Sequence, residues 1–339
     1  MLSGKTVHFS SHQIQINKMN RETVSQQQLT QQLLDLGVTW RPMSRNDLPA
    51  LVDLAGEGYL SDGGLHFLFE PDEITGRYFP ATSGTAMGAF TVDEQLVACT
   101  SVYLNPGSDI QQAIIIGLVR PDWRGRGIGT CLMRWSQVQA QALLTGATTP
   151  VLQIRTESLT EPAARLYLAH GFAVVFEELV MRRDLHRPLP DSWLPPEVTI
   201  TPWQPDLADQ FFQAYEAAFR ERPGFPGWTR AEWIAHWLDD DFRPAWSLLA
   251  QVGHVPLAFL VAIATPPHGF VVQLGVIPSQ RRRGLASAIV VETMRRMQAD
   301  GAASIQLTVN TNNPSAIKTY TALGFVTIGR RARYDRILG

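Results

Sequence analysis

A glycine- and arginine-rich passage occurs twice in this chain of 339 residues. The copies are VRPDWRGRGIG at 119–129 and VIPSQRRRGLA at 276–286. Each copy follows an apolar run and precedes a helical pattern. A strand, a glycine loop and a helix therefore recur as one unit, which is the arrangement of a loop that binds an anion at the start of a helix.

Two further pairs of segments keep the same order along the chain. VTWRP at 38–42 resembles VTITP at 198–202, and YLAHGF at 167–172 resembles YTALGF at 320–325. The offset between copies drifts only from 160 to 153 residues. Such ordered similarity predicts two homologous domains that differ by small insertions.

The expected boundaries follow from this repeat and from the prolines between its copies. Residues 186–197 contain four prolines in twelve positions, which suits a linker and neither a helix nor a central strand. We expect an N-terminal extension at 1–37, a first domain at 38–185 and a second domain at 198–339. A helix is predicted in the extension from about Glu22 to Leu36.

Composition restricts the classes of partner. The chain has 45% hydrophobic and 18% charged residues and a formal net charge of -2, so its overall charge does not favour nucleic acid or an acidic membrane. It contains no apolar run of about 18 residues, and its first residues lack the apolar core of a signal peptide. We expect a cytoplasmic protein whose two cysteines, Cys99 and Cys131, are small core residues.

The order of predicted elements is that of a mixed α/β fold. In the second domain a strand near Val198 precedes two helices and two hairpins, and a β-α-β-α-β series follows. The predicted helices are 206–219, 229–238, 285–299 and 313–323, and the predicted strands are 246–252, 256–264, 270–277, 304–309 and a last one from Phe325.

The chemistry of the loop favours a phosphate or pyrophosphate. Small residues allow a ligand to approach the backbone, free amides at the helix start attract an anion, and arginines add charged hydrogen bonds. No Gly-Lys-Ser/Thr sequence follows, so the loop is not a P-loop. A dinucleotide site requires an acidic residue at the end of the next strand, where this chain has Asn310.

Together the motifs resemble those of the GNAT N-acetyltransferases. Arg-x-x-Gly-x-Gly/Ala after Val-x-Pro is similar to their acetyl-CoA pyrophosphate loop. The run from Asn313 through Ala316 and Tyr320 to Gly324-Phe325 is similar to their second signature. The first domain matches it with Thr160 in place of the asparagine. The tandem organisation is also loosely similar to that of the mycothiol synthases.

The resemblance implies two domains, each with a central mixed sheet flanked by helices, and acetyl-CoA as co-substrate without a metal. The strand before the loop would part from its neighbour and bind the pantetheine arm. Tyr320, and Tyr167 as its counterpart, would protonate the leaving thiolate. The implied acetyl-CoA-binding residues are Val119, Arg124, Gly125, Arg126, Gly127, Ile128 and Gly129 in the first domain and Val276, Arg281, Arg282, Arg283, Gly284, Leu285, Ala286 and Asn313 in the second.

The general base is not evident. Many family members carry a glutamate on the strand before the loop, where this chain has Gln273. The alternatives are Glu221, the run 239–241, His254 and His268. The expected activity is acetyl transfer to a primary amine, with the second domain as catalyst and a small-molecule acceptor. The competing hypothesis is a non-catalytic acyl-CoA-binding protein.

Overall fold

The computed structural model describes residues 31–338, apart from 33, 81–83, 106–110, 223–224 and 238–239. Most of the N-terminal extension and its expected helix lie outside the described residues. The chain forms two compact units. The first unit contains residues up to Phe176 together with 331–339, and the second contains 177–330.

Among the described residues, the first unit contains four α-helices of eight or more residues, five whole strands and parts of two more. The helices are α1 (Leu48–Asp62), α2 (Pro71–Tyr78), α3 (Ile128–Leu143) and α4 (Glu161–Ala169). The strands are β1 (Val38–Pro42), β2 (Gly84–Thr91), β3 (Leu96–Leu104), β4 (Gln112–Val119), β5 (Val151–Thr156) and the beginning of β6 (Ala173–Asp184). The end of β12, described below, is the seventh.

The second unit repeats this series, and its described elements confirm the predicted order. Its helices are α5 (Ala208–Phe219), α6 (Arg230–Trp237), α7 (Leu285–Ala299) and α8 (Pro314–Ala322). Its strands are β7 (Thr199–Pro202), β8 (Leu248–Val252), β9 (Val255–Thr265), β10 (His268–Val276), β11 (Ser304–Asn310) and the beginning of β12 (Val326–Ile337), together with the end of β6. The mixed α/β class is therefore confirmed.

The sheets of the two units have the same topology. In the first, β1 to β4 are antiparallel neighbours, and β4 and β5 are parallel. In the second, β7 to β10 are antiparallel neighbours, and β10 and β11 are parallel. At the parallel pair the alternation of strand directions in each sheet is interrupted. Ligands of α/β proteins commonly bind at a switch point of this kind, beside the carboxyl ends of the strands.

The last strand of each repeat completes the sheet of the other. Residues 178–184 of β6 pair antiparallel with β11 in the second unit. Residues 332–337 of β12 pair antiparallel with β5 in the first. The compact units consequently divide within β6 and β12, whereas we expected the boundary at 186–197. That proline-rich segment has no helix or strand, as predicted, but it lies within the second unit.

Apolar side chains cover both faces of each sheet. Along β4, Ala113 and Ile115 pack with α3, whereas Ile114 and Ile116 pack with α1 and α2. This alternation follows from the two-residue period of a strand. Cys99 and Cys131 are buried in these cores, as predicted. None of the helices in the described part of the chain is long and apolar enough to cross a membrane.

The glycine loop of the first unit requires a left-handed residue, which gives a test of the local geometry. Gly125 has φ +76°, and a Cβ there would meet nothing within 4 Å. We predict that Gly125→Ala lowers the free energy of unfolding by about 1 kcal/mol, because the backbone conformation alone disfavours alanine.

Gly76 serves as the matched control, since it lies in α2 with an equally open Cβ position and no positive φ. Gly76→Ala should raise the free energy of unfolding by about 0.5–1 kcal/mol. Urea denaturation of the ligand-free protein measures both changes. An unchanged or increased stability of Gly125→Ala would contradict the assignment.

Candidate functional site

The parallel strands part in the middle of each unit. Pairing of β4 with β5 ends at Ile115 and Ile154, although β4 continues to Val119. Pairing of β10 with β11 ends at Val271 and Leu307, although β10 continues to Val276. The predicted divergence is confirmed in both units. The open strand edge can receive an extended ligand arm, as a sheet edge receives an added strand.

Each glycine loop places the N-terminus of a helix beside the parted strands. Gly127 is the N-cap of α3 with φ +87°, and Gly284 is the N-cap of α7 with φ +80°. Neither N-cap supplies a side chain to the first backbone N–H groups of its helix. Those donors have no partner within the helix, so they and the helix dipole remain available to an anion.

The first arginine of each loop holds the end of the parted strand. The Nε of Arg124 donates to the carbonyl of Val119 at 3.1 Å, and the Nε of Arg281 donates to that of Val276 at 3.2 Å. The terminal nitrogens of Arg124 donate to both carboxylate oxygens of Asp62 at 2.8 and 2.7 Å. Arg281 instead donates to the carbonyl of Ala218 at 3.2 Å. These arginines thus fix the shape of the loop.

The next residue differs in conformational cost between the copies. Arg282 has φ +63°, a left-handed conformation that its counterpart Gly125 adopts without a Cβ. For a residue other than glycine this conformation costs about 1–3 kcal/mol. The Arg282 side chain lines the cavity beside the loop. Such strain is typical of a position where side-chain chemistry is needed at a ligand site.

The last arginine of each loop has local side-chain partners. The guanidinium of Arg126 lies 4.6 Å from the centroid of the Trp123 ring, and that of Arg283 donates to Gln280 and pairs with Glu197 at 3.4 Å. Neither residue lines a cavity wall. That both bind acetyl-CoA stays a prediction.

The two signature helices begin alike. The hydroxyl of Thr160 accepts from the N–H of Ala163 at 3.3 Å, and the side-chain oxygen of Asn313 accepts from the N–H of Ala316 at 3.2 Å. Both residues are therefore N-caps, and both also line the cavity of their unit. Threonine and asparagine are equivalent in the first role, which explains why the replacement is tolerated structurally.

The two signature tyrosines lie in the cavity walls. Tyr320 is 8% exposed and packs against Phe325. Tyr167 is partly buried, and its ring lies 5.1 Å from that of Tyr334. Burial raises the pKa of each phenol to about 12. Each therefore keeps its proton at neutral pH and can donate it.

One cavity in each unit brings these groups together. In the first unit it has about 440 Å³ and is lined by Val119, Arg124, Gly125, Gly127, Ile128, Gly129, Thr160 and Tyr167. In the second it has about 960 Å³ and is lined by Val276, Arg281, Arg282, Gly284, Leu285, Ala286, Asn313 and Tyr320. Apart from Arg126 and Arg283, every sequence-predicted site residue lies in one of these walls.

Of the candidate bases among the described residues, only Glu221 lies in a cavity wall. Asp239 lies outside the described residues, and Asp240 and Asp241 line neither cavity. His254 lies in the turn between β8 and β9, and His268 begins β10 and bonds to Ser304. Gln273 accepts a hydrogen bond from Trp233 at 3.1 Å and lies outside the cavity wall. Trp233 is fully buried, so it belongs to the core.

Two carboxylates that line the first cavity were not predicted from the sequence as site residues. Asp62 forms the ion pair with Arg124, and Glu157 forms one with Arg331 at 2.9 Å. Glu157 directly follows β5, so its position at the end of a parallel strand was an available signal. Asp62 gives no comparable signal, because its partner is distant in sequence.

Comparisons with known proteins agree with this geometry. Residues 87–174 match the acetyltransferase (GNAT) domain, and residues 202–325 match the acetyltransferase (GNAT) family. The chain is 29% identical to a mycothiol acetyltransferase from Frankia alni, over 88% of this chain and 94% of that protein. It is 34% identical to one from Mycobacterium avium, over 66% of this chain and 75% of that protein.

A solved structure shows the same fold. The crystal structure of a GCN5-related N-acetyltransferase from Sphaerobacter thermophilus superimposes with a TM-score of 0.69 and 22% identity. The match covers 88% of this chain and 95% of that one. With two matching domains, parted strands and a glycine-capped helix start in each, the chain belongs to the GNAT family of acetyltransferases, with its domains in tandem.

Proposed function

We propose that the second unit transfers an acetyl group from acetyl-CoA to a primary amine of a small-molecule acceptor. The observation that carries this proposal is the position of Tyr320. It lies in the same cavity wall as the parted strand end at Val276 and the free helix start at Gly284. An acid, an open strand edge and an anion site thus face one space.

The second cavity fits acetyl-CoA as co-substrate. Helix-start N–H groups, with Arg282 beside them, suit a pyrophosphate, and the open edge of β10 suits the pantetheine amides. Bound acetyl-CoA supplies an activated acetyl thioester. The amide N–H groups along the end of β10 are the candidate donors to the thioester carbonyl oxygen.

The reaction is a direct attack in a ternary complex. The amine nitrogen bonds to the thioester carbonyl carbon, and the carbon–sulfur bond breaks as the sulfur leaves. Tyr320 donates its phenolic proton to that sulfur. The amine releases a proton, and Glu221 accepts it through water, since it is the described carboxylate of this cavity wall.

The first unit is proposed to bind acyl-CoA without transferring the acetyl group. It has the same loop and parted strands, but both carboxylates of its cavity are held by arginines. A carboxylate in a close ion pair is a poor acceptor for a proton from an amine. This observation favours the non-catalytic alternative for one unit only.

The acceptor is proposed from the relatives. The two relatives described above are named mycothiol acetyltransferases, so an amine of the mycothiol class is the first acceptor to assay. Release of the CoA thiol in the presence of a panel of small amines tests the activity. Binding of acetyl-CoA without thiol release on any amine would favour a purely binding function.

Removing the signature tyrosine hydroxyl in each unit should show which unit is catalytic. We predict that Tyr320→Phe lowers kcat by about 10²–10⁴-fold with little change in acetyl-CoA binding, because only the proton donor is removed. Tyr167→Phe is the matched control in the homologous position and should leave kcat within about twofold. Steady-state thiol release measures both, and a decrease confined to Tyr167→Phe would reverse the assignment of the catalytic unit.

Removal of the proposed base gives a second kinetic test. Glu221→Gln keeps the size of the side chain, and we predict a decrease in kcat of about 10²-fold or more with an unchanged KM for acetyl-CoA. The decrease should become smaller as the pH approaches the pKa of the acceptor amine, because the free amine then needs no base. Equal activity of Glu221→Gln and the wild type at neutral pH would eliminate this role.

Burial of Tyr320 also predicts a pH dependence of stability. Since its pKa is raised to about 12, the folded protein retains this proton after the unfolded chain begins to lose it near pH 10. The stabilisation is complete below pH 10 and decreases as the pH rises towards 12. Over this range the unfolding free energy of the wild type should fall more steeply than that of Tyr320→Phe, by up to about 1.4 kcal/mol per pH unit. Parallel curves from denaturation at several pH values would show that the phenol is solvated.

A further inference from the structure

The wall of the first-unit cavity includes residues that the proposed chemistry does not use. They come from α1 and α2 and from the end of β5. Arg77 comes from the last turn of α2, and Arg155 comes from β5 just beyond its last pairing with β4. We define Arg77 and Arg155 as the arginine pair.

The charges along this cavity wall are not all balanced. Five charged residues line it: Asp62, Arg77, Arg124, Arg155 and Glu157. Asp62 forms an ion pair with Arg124, and Glu157 forms one with Arg331. Neither carboxylate is therefore paired with a member of the arginine pair. Among the described residues, Arg77 and Arg155 form no ion pair with a carboxylate.

Each member of the arginine pair is oriented by a hydrogen bond from its Nε atom, which leaves its terminal nitrogens unused. The Nε of Arg77 donates to the carbonyl of Glu73 at 3.4 Å, one turn earlier in α2. The Nε of Arg155 donates to the side-chain oxygen of Gln153 at 2.8 Å, and Gln153 in turn donates to Asp335 at 2.8 Å. The Arg77 guanidinium also lies 5.9 Å from the centroid of the Phe69 ring. Among the described residues, the terminal nitrogens of both guanidinium groups have no hydrogen-bond partner and remain as donors.

Both arginines line one cavity. Arg77 comes from the last turn of α2 and Arg155 from the end of β5, and Glu157 lines the same cavity. Burial raises the pKa of the Tyr103 phenol on β3; the charges of Arg155 and Arg77 oppose that rise, and that of Glu157 adds to it. The wall of this cavity therefore carries two positive groups from the ends of α2 and β5.

The second unit offers no equivalent. Counting back five residues from the N-caps Thr160 and Asn313 aligns Arg155 with Thr308. The charged residues lining the second cavity are Glu221, Arg222, Arg281 and Arg282, and none comes from β11. The arginine pair is a property of one copy and not of the duplicated fold.

We propose that the first unit binds a small carboxylate ligand through Arg77 and Arg155. Guanidinium groups bind planar carboxylates with paired, charge-assisted hydrogen bonds. The cavity of about 440 Å³ also includes the glycine loop proposed to bind acyl-CoA, so the arginine pair can receive only a small molecule. Binding by the arginine pair does not depend on acetyl transfer by either unit, so it can be tested apart from the proposed function.

The test is calorimetric titration of the full chain with matched pairs of probes. The carboxylates are acetate, succinate and L-glutamate, and their neutral partners are acetamide, succinamide and L-glutamine. The wild type should bind at least one carboxylate ten times more tightly than its amide. Arg77→Gln/Arg155→Gln should weaken that binding at least tenfold, because each arginine contributes charged hydrogen bonds.

The control variant is Arg134→Gln/Arg165→Gln, which removes the same charge from exposed positions on α3 and α4 outside the cavity wall. It should bind the carboxylate as the wild type does. Thermal denaturation checks that each variant folds, and the single changes Arg77→Gln and Arg155→Gln replace the double variant if it does not. Each single change should weaken binding at least threefold.

Three results would overturn the proposal. These are no binding of any carboxylate by the wild type at millimolar concentrations, equal affinity for a carboxylate and its amide, or equal affinity of the wild type and the arginine variants. Tighter binding of inorganic phosphate than of every carboxylate would overturn the ligand class. A parallel titration with acetyl-CoA reports on the proposed function independently.

Discussion

The parting of two parallel strands is the constraint on which the rest of each unit depends. A sheet that stayed paired along β4 and β5, or along β10 and β11, would leave neither an open edge nor a cavity. The strand end is held in place by the arginine that opens the loop, through its bond to the carbonyl of Val119 or Val276. The same loop then turns through a left-handed glycine into a helix. The shape of the loop and its exposed helix start therefore arise from one short sequence.

The two copies use this common frame with different charges. In the first unit the loop arginine is neutralised by Asp62, and Glu157 is neutralised by Arg331. In the second unit the loop arginine bonds to a backbone carbonyl, and Arg282 occupies a strained position in the cavity wall. Duplication thus preserved the backbone while the ionic groups diverged. Such divergence is what the proposed division into a binding unit and a catalytic unit requires.

Much of this arrangement follows from the sequence because it is local. Helix and strand periods place α7 and β11 within a residue of their predicted bounds, and the motif spacing places Tyr167 and Tyr320 in the cavities. Interactions between distant segments were not predictable in this way. The partner of Arg124 is Asp62, which nothing in the local pattern indicates. Arg126 and Arg283 were expected to bind a ligand because they lie in the motif, and their contacts with Trp123, Gln280 and Glu197 were not predictable from it.

The pairing of β6 with β11 and of β12 with β5 also could not be predicted from the sequence, because the alternation of apolar residues identifies a strand but not its partner. It has a consequence for how the protein is made. The edge of β5 is covered by residues 332–337, which follow the second unit in the chain. During synthesis the first sheet therefore keeps an open edge until the second unit has been made. Completion of the first sheet is coupled to synthesis of the second unit, so a chain released before residue 332 lacks the strand that closes that sheet.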